Sequence, residues 1–132
     1  EAMGPDAVAA AKAMAPPAHT ATASTSTLCK LIAWHNQGVW QEAAAAGKQP
    51  GMLHQADWLA SLLHGDRSVT DWNNALKVGF DPETEAYPDW LLSQPFAHLL
   101  PQRVVAPGAP VAPLTQQAAA ATGLPQSCMV AG

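Results

Sequence analysis

The chain has 132 residues, 48% of them apolar and only 12% charged, with a formal net charge of −4. That is one ordinary domain's worth of chain, with about half the usual charged share of roughly 25%. The six Lys and Arg residues are scattered, so no basic stripe exists and nucleic-acid binding is excluded as a primary role. No apolar run approaches the roughly 20 residues of a membrane-spanning helix.

Residues 6–15 read as a helix, with Asp6 as N-cap and Pro16-Pro17 as the stop. Residues 18–27 are a Ser/Thr-rich loop that delivers a capping hydroxyl to the next helix. That helix carries Leu28, Leu31, Ile32 and Trp34 at helical spacing and ends near Gln37, with Gly38 at C′. Residues 39–50 are ambiguous: alanines favour helix, while Gly47 and Pro50 keep it short. In MLHQADWLASLLHG, Trp58, Leu59, Leu62 and Leu63 mark one apolar side of a further helix, closed by Gly65. Asp71 is placed to cap a helix through WNNALK that ends at Gly79. Residues 80–88 form a turn-rich acidic loop, and Pro88 or Asp89 starts a helical turn that Pro95 breaks.

The last third changes character. Prolines forbid helix over residues 101–113, where Arg103-Val104-Val105 and Val111 suit short strands at a sheet edge. Thr115 caps a helix that ends at Gly123. Cys128–Ala131 is wholly apolar and reads as a buried strand from the middle of a parallel or mixed sheet. The expected organisation is therefore a helical cluster over residues 1–100 and an extended–helix–strand unit over 101–132. The chain begins with Glu1 and stops in an apolar run, which reads as an internal piece of a longer protein. Such a piece exposes faces meant to be covered, and this accounts for the low charge. Cys29 and Cys128 read as free, buried thiols, which with the absence of a visible signal peptide points to the cytoplasm.

Local catalytic motifs are few. The five histidines show no metal-ligand spacing; His54 and His64 sit at opposite ends of one predicted helix and read as solvated or satisfied. The densest polar stretch is Thr70 to Pro82. There Asp71, Trp72, Asn73, Asn74 and Lys77 combine carboxylate, carboxamides, amine and indole. Polyols are bound by such a mixture, because each hydroxyl wants both a donor and an acceptor. On one helix Lys77 would neighbour both Asn73 and Asn74. The same residues equally describe a capped surface helix whose Trp72 plugs a core.

The run HQADWLASLLHGDRSVTDWNNALKVGFDP, then YPDWL, the proline-rich approach through Val111 and the close TGLPQSCMVAG resemble the FGGY family of carbohydrate kinases, of the ribulokinase and xylulokinase type. The resemblance runs over most of 20–132 and rests on the order of segments rather than on one motif. It implies an α/β protein whose two actin-like (ribonuclease H-like) domains flank a cleft. This chain would be an internal part of the first, sugar-binding domain, with that domain's helical insertion. It implies an ATP-dependent kinase acting on a hydroxyl of a ketose or polyol, a pentulose such as D-ribulose or D-xylulose foremost. ATP and Mg²⁺ would be bound mainly by parts of the protein outside this chain, and the partners are the sugar and the remainder of the same polypeptide, with room for a homodimer. The general-base Asp is expected just after Gly132, so the chain alone carries no catalytic residue and is expected to be inactive. Lys77 falls near the family position where ribulokinases place a substrate-contacting Lys; Asn73, Asn74, Asp71 and Trp72 are its neighbours. The alternative is a non-catalytic helical interaction or scaffold module.

Overall fold

A computed structural model of the chain describes residues 3–132. The chain divides into two compact units, one running up to Gly51 and including Ala75–Leu99, the other comprising Met52–Asn74 and Leu100–Gly132. The class is mixed: helices with two small sheets.

The first unit is helical. Helix α1 (Pro5–Met14) has Gly4 at its N-cap and Pro5 in its first turn; Asp6 lies inside that turn and makes no side-chain cap. Proline wins the boundary because its fixed φ suits N1 and its missing N–H costs nothing there. Ala7, Ala11 and Ala15 recur every four residues and are buried, which lets α1 approach α2 (Thr27–Asn36) closely. The Ser26 hydroxyl caps α2 by accepting from Cys29 N at 3.1 Å, and donates to the Ala21 carbonyl at 2.6 Å. Leu28, Cys29, Leu31 and Ile32 turn inward, and Gly38 (φ 74°) closes the helix in the left-handed conformation. Trp34, expected on that inner face, is instead 42% exposed, because at 100° per residue it falls well round the helix from the centre of the Leu28, Cys29, Leu31 and Ile32 stripe.

Helix α3 (Val39–Ala45) resolves the ambiguous alanine stretch and buries Trp40. The core is completed by Val78, Phe80, Leu91, Phe96 and Leu99. Phe80 meets Tyr87 edge to face at 5.3 Å, and Trp40 meets Phe96 at 6.3 Å. Gly79 sits at φ 119° under the Trp90 ring, where any Cβ would collide with the indole.

The second unit holds α4 (Gln55–His64), β1 (Val69–Asp71), β2 (Arg103–Val105), β3 (Pro110–Pro113), α7 (Gln116–Thr122) and β4 (Met129–Ala131). Between β1 and β2 the chain forms one-turn helices α5 (Trp72–Ala75) and α6 (Asp89–Leu92). Strands β1 and β2 pair in parallel, Val69 opposite Arg103 and Asp71 opposite Val105. Strands β3 and β4 pair antiparallel, with α7 between them in sequence. Thr115 caps α7 by accepting from Ala118 N at 3.1 Å, and Gly123 (φ 73°) ends it.

Three further expectations are corrected. The helix from Asp71 is a single turn that stops at Ala75, so Lys77 lies in the turn beyond it rather than on the helix with Asn73 and Asn74. Strand β4 pairs with β3 alone, and its Met129 is 53% exposed, so it is not an interior strand; Cys128 is exposed with it, whereas Cys29 is buried. The proline at each end of β3 removes a ladder donor and keeps this sheet narrow. Finally, α4 turns Asp57 and Ser61 inward, while Trp58, Leu59 and Leu62 are each about half exposed, at 48, 51 and 50%.

Candidate functional site

The inward face of α4 is polar because its partners are polar. Asp57 is 7% exposed. Its Oδ2 accepts from the Thr70 hydroxyl at 2.7 Å and from His54 N at 3.3 Å, and lies 3.0 Å from His54 Nδ1. Its Oδ1 accepts from Asn74 Nδ2 at 3.1 Å. The same Asn74 nitrogen donates its second hydrogen to Asp71 Oδ2 at 2.8 Å, and Asn74 N donates to Asp71 Oδ1 at 3.1 Å. One carboxamide thus bridges two carboxylates. Burial alone would push the Asp57 carboxyl up, but the hydrogen bonds from His54 and Thr70 and the charge of His54 outweigh it, holding the carboxyl below the usual carboxylate range. No buried side-chain nitrogen or oxygen among the described residues lacks a partner.

This network floors a cleft of about 90 Å³ lined by Asp57, His64, Thr70, Asp71, Ala131 and Gly132, with valines and alanines as its remaining walls. The end of β4 reaches it through close backbone approach. Gly132 N donates to the Ala109 carbonyl at 3.0 Å, and Gly132 O accepts from Gly108 N at 2.8 Å. A Cβ at Gly132 would run into the Val105 side chain, so only glycine fits.

The five residues singled out from sequence fall in different places. Asp71 lines the cleft, and Asn74 holds Asp71 from behind with both amide hydrogens spent on carboxylates. Trp72 is half-buried and Asn73 exposed, and neither lines the cleft. Lys77 does not line it either; its side chain is exposed, and its carbonyl accepts from Leu28 N at 3.1 Å, at the start of α2. Sequence reasoning missed Asp57, which it did not single out, and His64, which it read as solvated or satisfied. A carboxylate three residues after His54, at the N3 position, was the available signal for the first.

The cleft offers carboxylate oxygens, one hydroxyl and one imidazole, and no Lys or Arg lines it. Both Asp71 oxygens already accept N–H groups. That donor set, with no Lys or Arg beside it, does not suit a triphosphate, so the ATP implied by the resemblance does not fit here. Uncharged hydroxyls do. No protein-family model matches the chain.

Proposed function

We propose that this chain is the sugar-side part of an ATP-dependent carbohydrate kinase that phosphorylates a hydroxyl of a ketose or polyol, with a pentulose such as D-ribulose or D-xylulose as the foremost substrate. The observation that carries the reading is the cleft between the polar face of α4 and the end of β1, where the Asp71 carboxylate is held by Asn74 beside Gly132. The Thr-Asp step and Asn74 that build it belong to the longer run of segments whose order resembles the FGGY kinases. An actin-like domain is the finer fold of this proposal, and its support is the same resemblance; the mixed class of helices and small sheets is the coarser one.

On this reading Asp71 accepts hydrogens from ligand hydroxyls and the apolar walls meet their C–H faces. ATP and Mg²⁺ are bound by other parts of the protein, as is the carboxylate that takes the hydroxyl proton, expected beyond Gly132. The isolated 132 residues are then inactive. The proposed setting is the cytoplasm.

The test is coupled ADP release by the product of the whole coding region, assayed on a panel of ketoses and polyols. Turnover on a pentulose is expected, with none from residues 1–132 alone. Absence of turnover on every member would favour the second reading, a non-catalytic interaction or scaffold module. The outward Trp58, Leu59 and Leu62 of α4 are the observation on that side.

A further inference from the structure

His64 ends α4 half-buried, with Gly65 (φ 84°) turning the chain away immediately after it. Its Nδ1 accepts from Asp66 N at 3.1 Å. An imidazole that accepts at Nδ1 carries its neutral-state hydrogen on Nε2, so the ring is set as a donor there. His64 also lines the cleft. The other polar side chains around that cleft have their hydrogens committed or have none. Thr70 gives its hydroxyl hydrogen to Asp57, and Asp57 and Asp71 are acceptors only. Among the described lining residues, the imidazole is therefore the side-chain donor left for a ligand.

A hydroxyl is the group that uses one donor and one acceptor together, and its carbon wants the apolar remainder of the wall, here Val69 and Val111. A volume of about 90 Å³ is well below that of an enclosing pocket, roughly 300–1,000 Å³. The cleft therefore takes one end of an open-chain molecule. A carboxylate or phosphate at that end would face Asp57 and Asp71 and pay like-charge repulsion.

We propose that His64 is a ligand-contacting residue of this cleft, donating from Nε2 to a terminal hydroxyl oxygen of an open-chain polyol or ketose whose hydrogen goes to the Asp71 carboxylate, and that the site refuses an acidic group at that end. This rests on the sugar reading above and adds to it a donor and a terminus preference.

The test is calorimetric titration of the 132-residue chain with ribitol, D-ribulose and D-xylulose, with ribarate, which carries a carboxylate at both ends, as the acidic counterpart of ribitol. His64→Phe removes the donor, while His64→Gln keeps an N–H near the Nε2 position; amide spectra check that each variant keeps the fold. Loss of one neutral hydrogen bond should weaken ribitol binding about tenfold in His64→Phe, with His64→Gln within about threefold of wild type. Ribarate should bind wild type at least about tenfold more weakly than ribitol, and equal affinity would overturn the refusal of an acidic end. The ¹⁵N resonance of His64 Nε2 in the unmodified chain should move on ribitol addition, a readout that needs no variant. Equal ribitol affinity in wild type and His64→Phe, or an unmoved Nε2 resonance in a chain that binds ribitol, overturns the assignment and leaves the sugar reading standing. No binding of any of the three neutral ligands overturns both.

Discussion

Helices α2 and α4 have ten residues each and a similar apolar content, yet they solve opposite problems. Helix α2 turns Leu28, Leu31 and Ile32 inward and is held by burial. Helix α4 turns Asp57 and Ser61 inward and leaves its tryptophan and leucines in the open. Burying a carboxylate is costly unless it is fully hydrogen-bonded, and Asp57 is bonded by Thr70, Asn74 and His54. The first unit thus spends its interior on stability, whereas the second spends part of its interior on orienting polar groups around a cleft.

That contrast is sharpest in the core variants. Phe80→Ala, which empties one of the largest fully buried side chains, should destabilise the first unit by about 4 kcal/mol, read from urea unfolding followed by tryptophan fluorescence. Asp57→Ala strands the donors of Thr70 and Asn74 and should cost about 3 kcal/mol. A cost for Asp57→Ala within about 0.5 kcal/mol of zero would erase the comparison.

Acid should test the Asp57 network as well. The Asp57 carboxyl is depressed in the fold, so its stabilisation is complete above the ordinary value of 3.8 and is lost as pH falls through 3.8 toward the lower folded value. Asp57→Asn should flatten that acid limb of an unfolding-versus-pH curve, and an unchanged limb would remove Asp57 from the account. The caps come next: Ser26→Ala and Thr115→Ala should each cost about 1 kcal/mol in thermal melts. The smallest effect belongs to α4's outer face. Leu59→Gln and Leu62→Gln should stay within about 0.5 kcal/mol of wild type, although the same change in a leucine of α2 would be severe.

Much of the architecture was legible in local chemistry. Gly38, Gly65 and Gly123 end helices where glycine's left-handed conformation is cheap, and Ser26 and Thr115 start them. The prolines of 101–113 forbade helix and left β2 and β3. The direction of α4 was not legible, because periodicity shows that a helix has an apolar side without showing which side meets the core. What decides it is Thr70 and Asn74, 13 and 17 residues from Asp57 in sequence. The same distance hid the cleft: Asp71 was readable as a polar group in a polar stretch, but its company with His64 and Gly132 is a product of the fold. Lys77 drew notice through a helix that ends two residues before it. Exposure of β4 also escaped the sequence, since an apolar run reads as buried whether or not a second layer is present to cover it.

The central claim is that the polar face of α4 builds a cleft for an open-chain sugar. A titration of D-ribulose into the ¹⁵N-labelled chain, followed amide by amide, tests it most directly. Saturable shifts concentrated at His64, Asp71, Ala131 and Gly132 are the expected result; shifts confined to other residues, or none at saturating sugar, would contradict it.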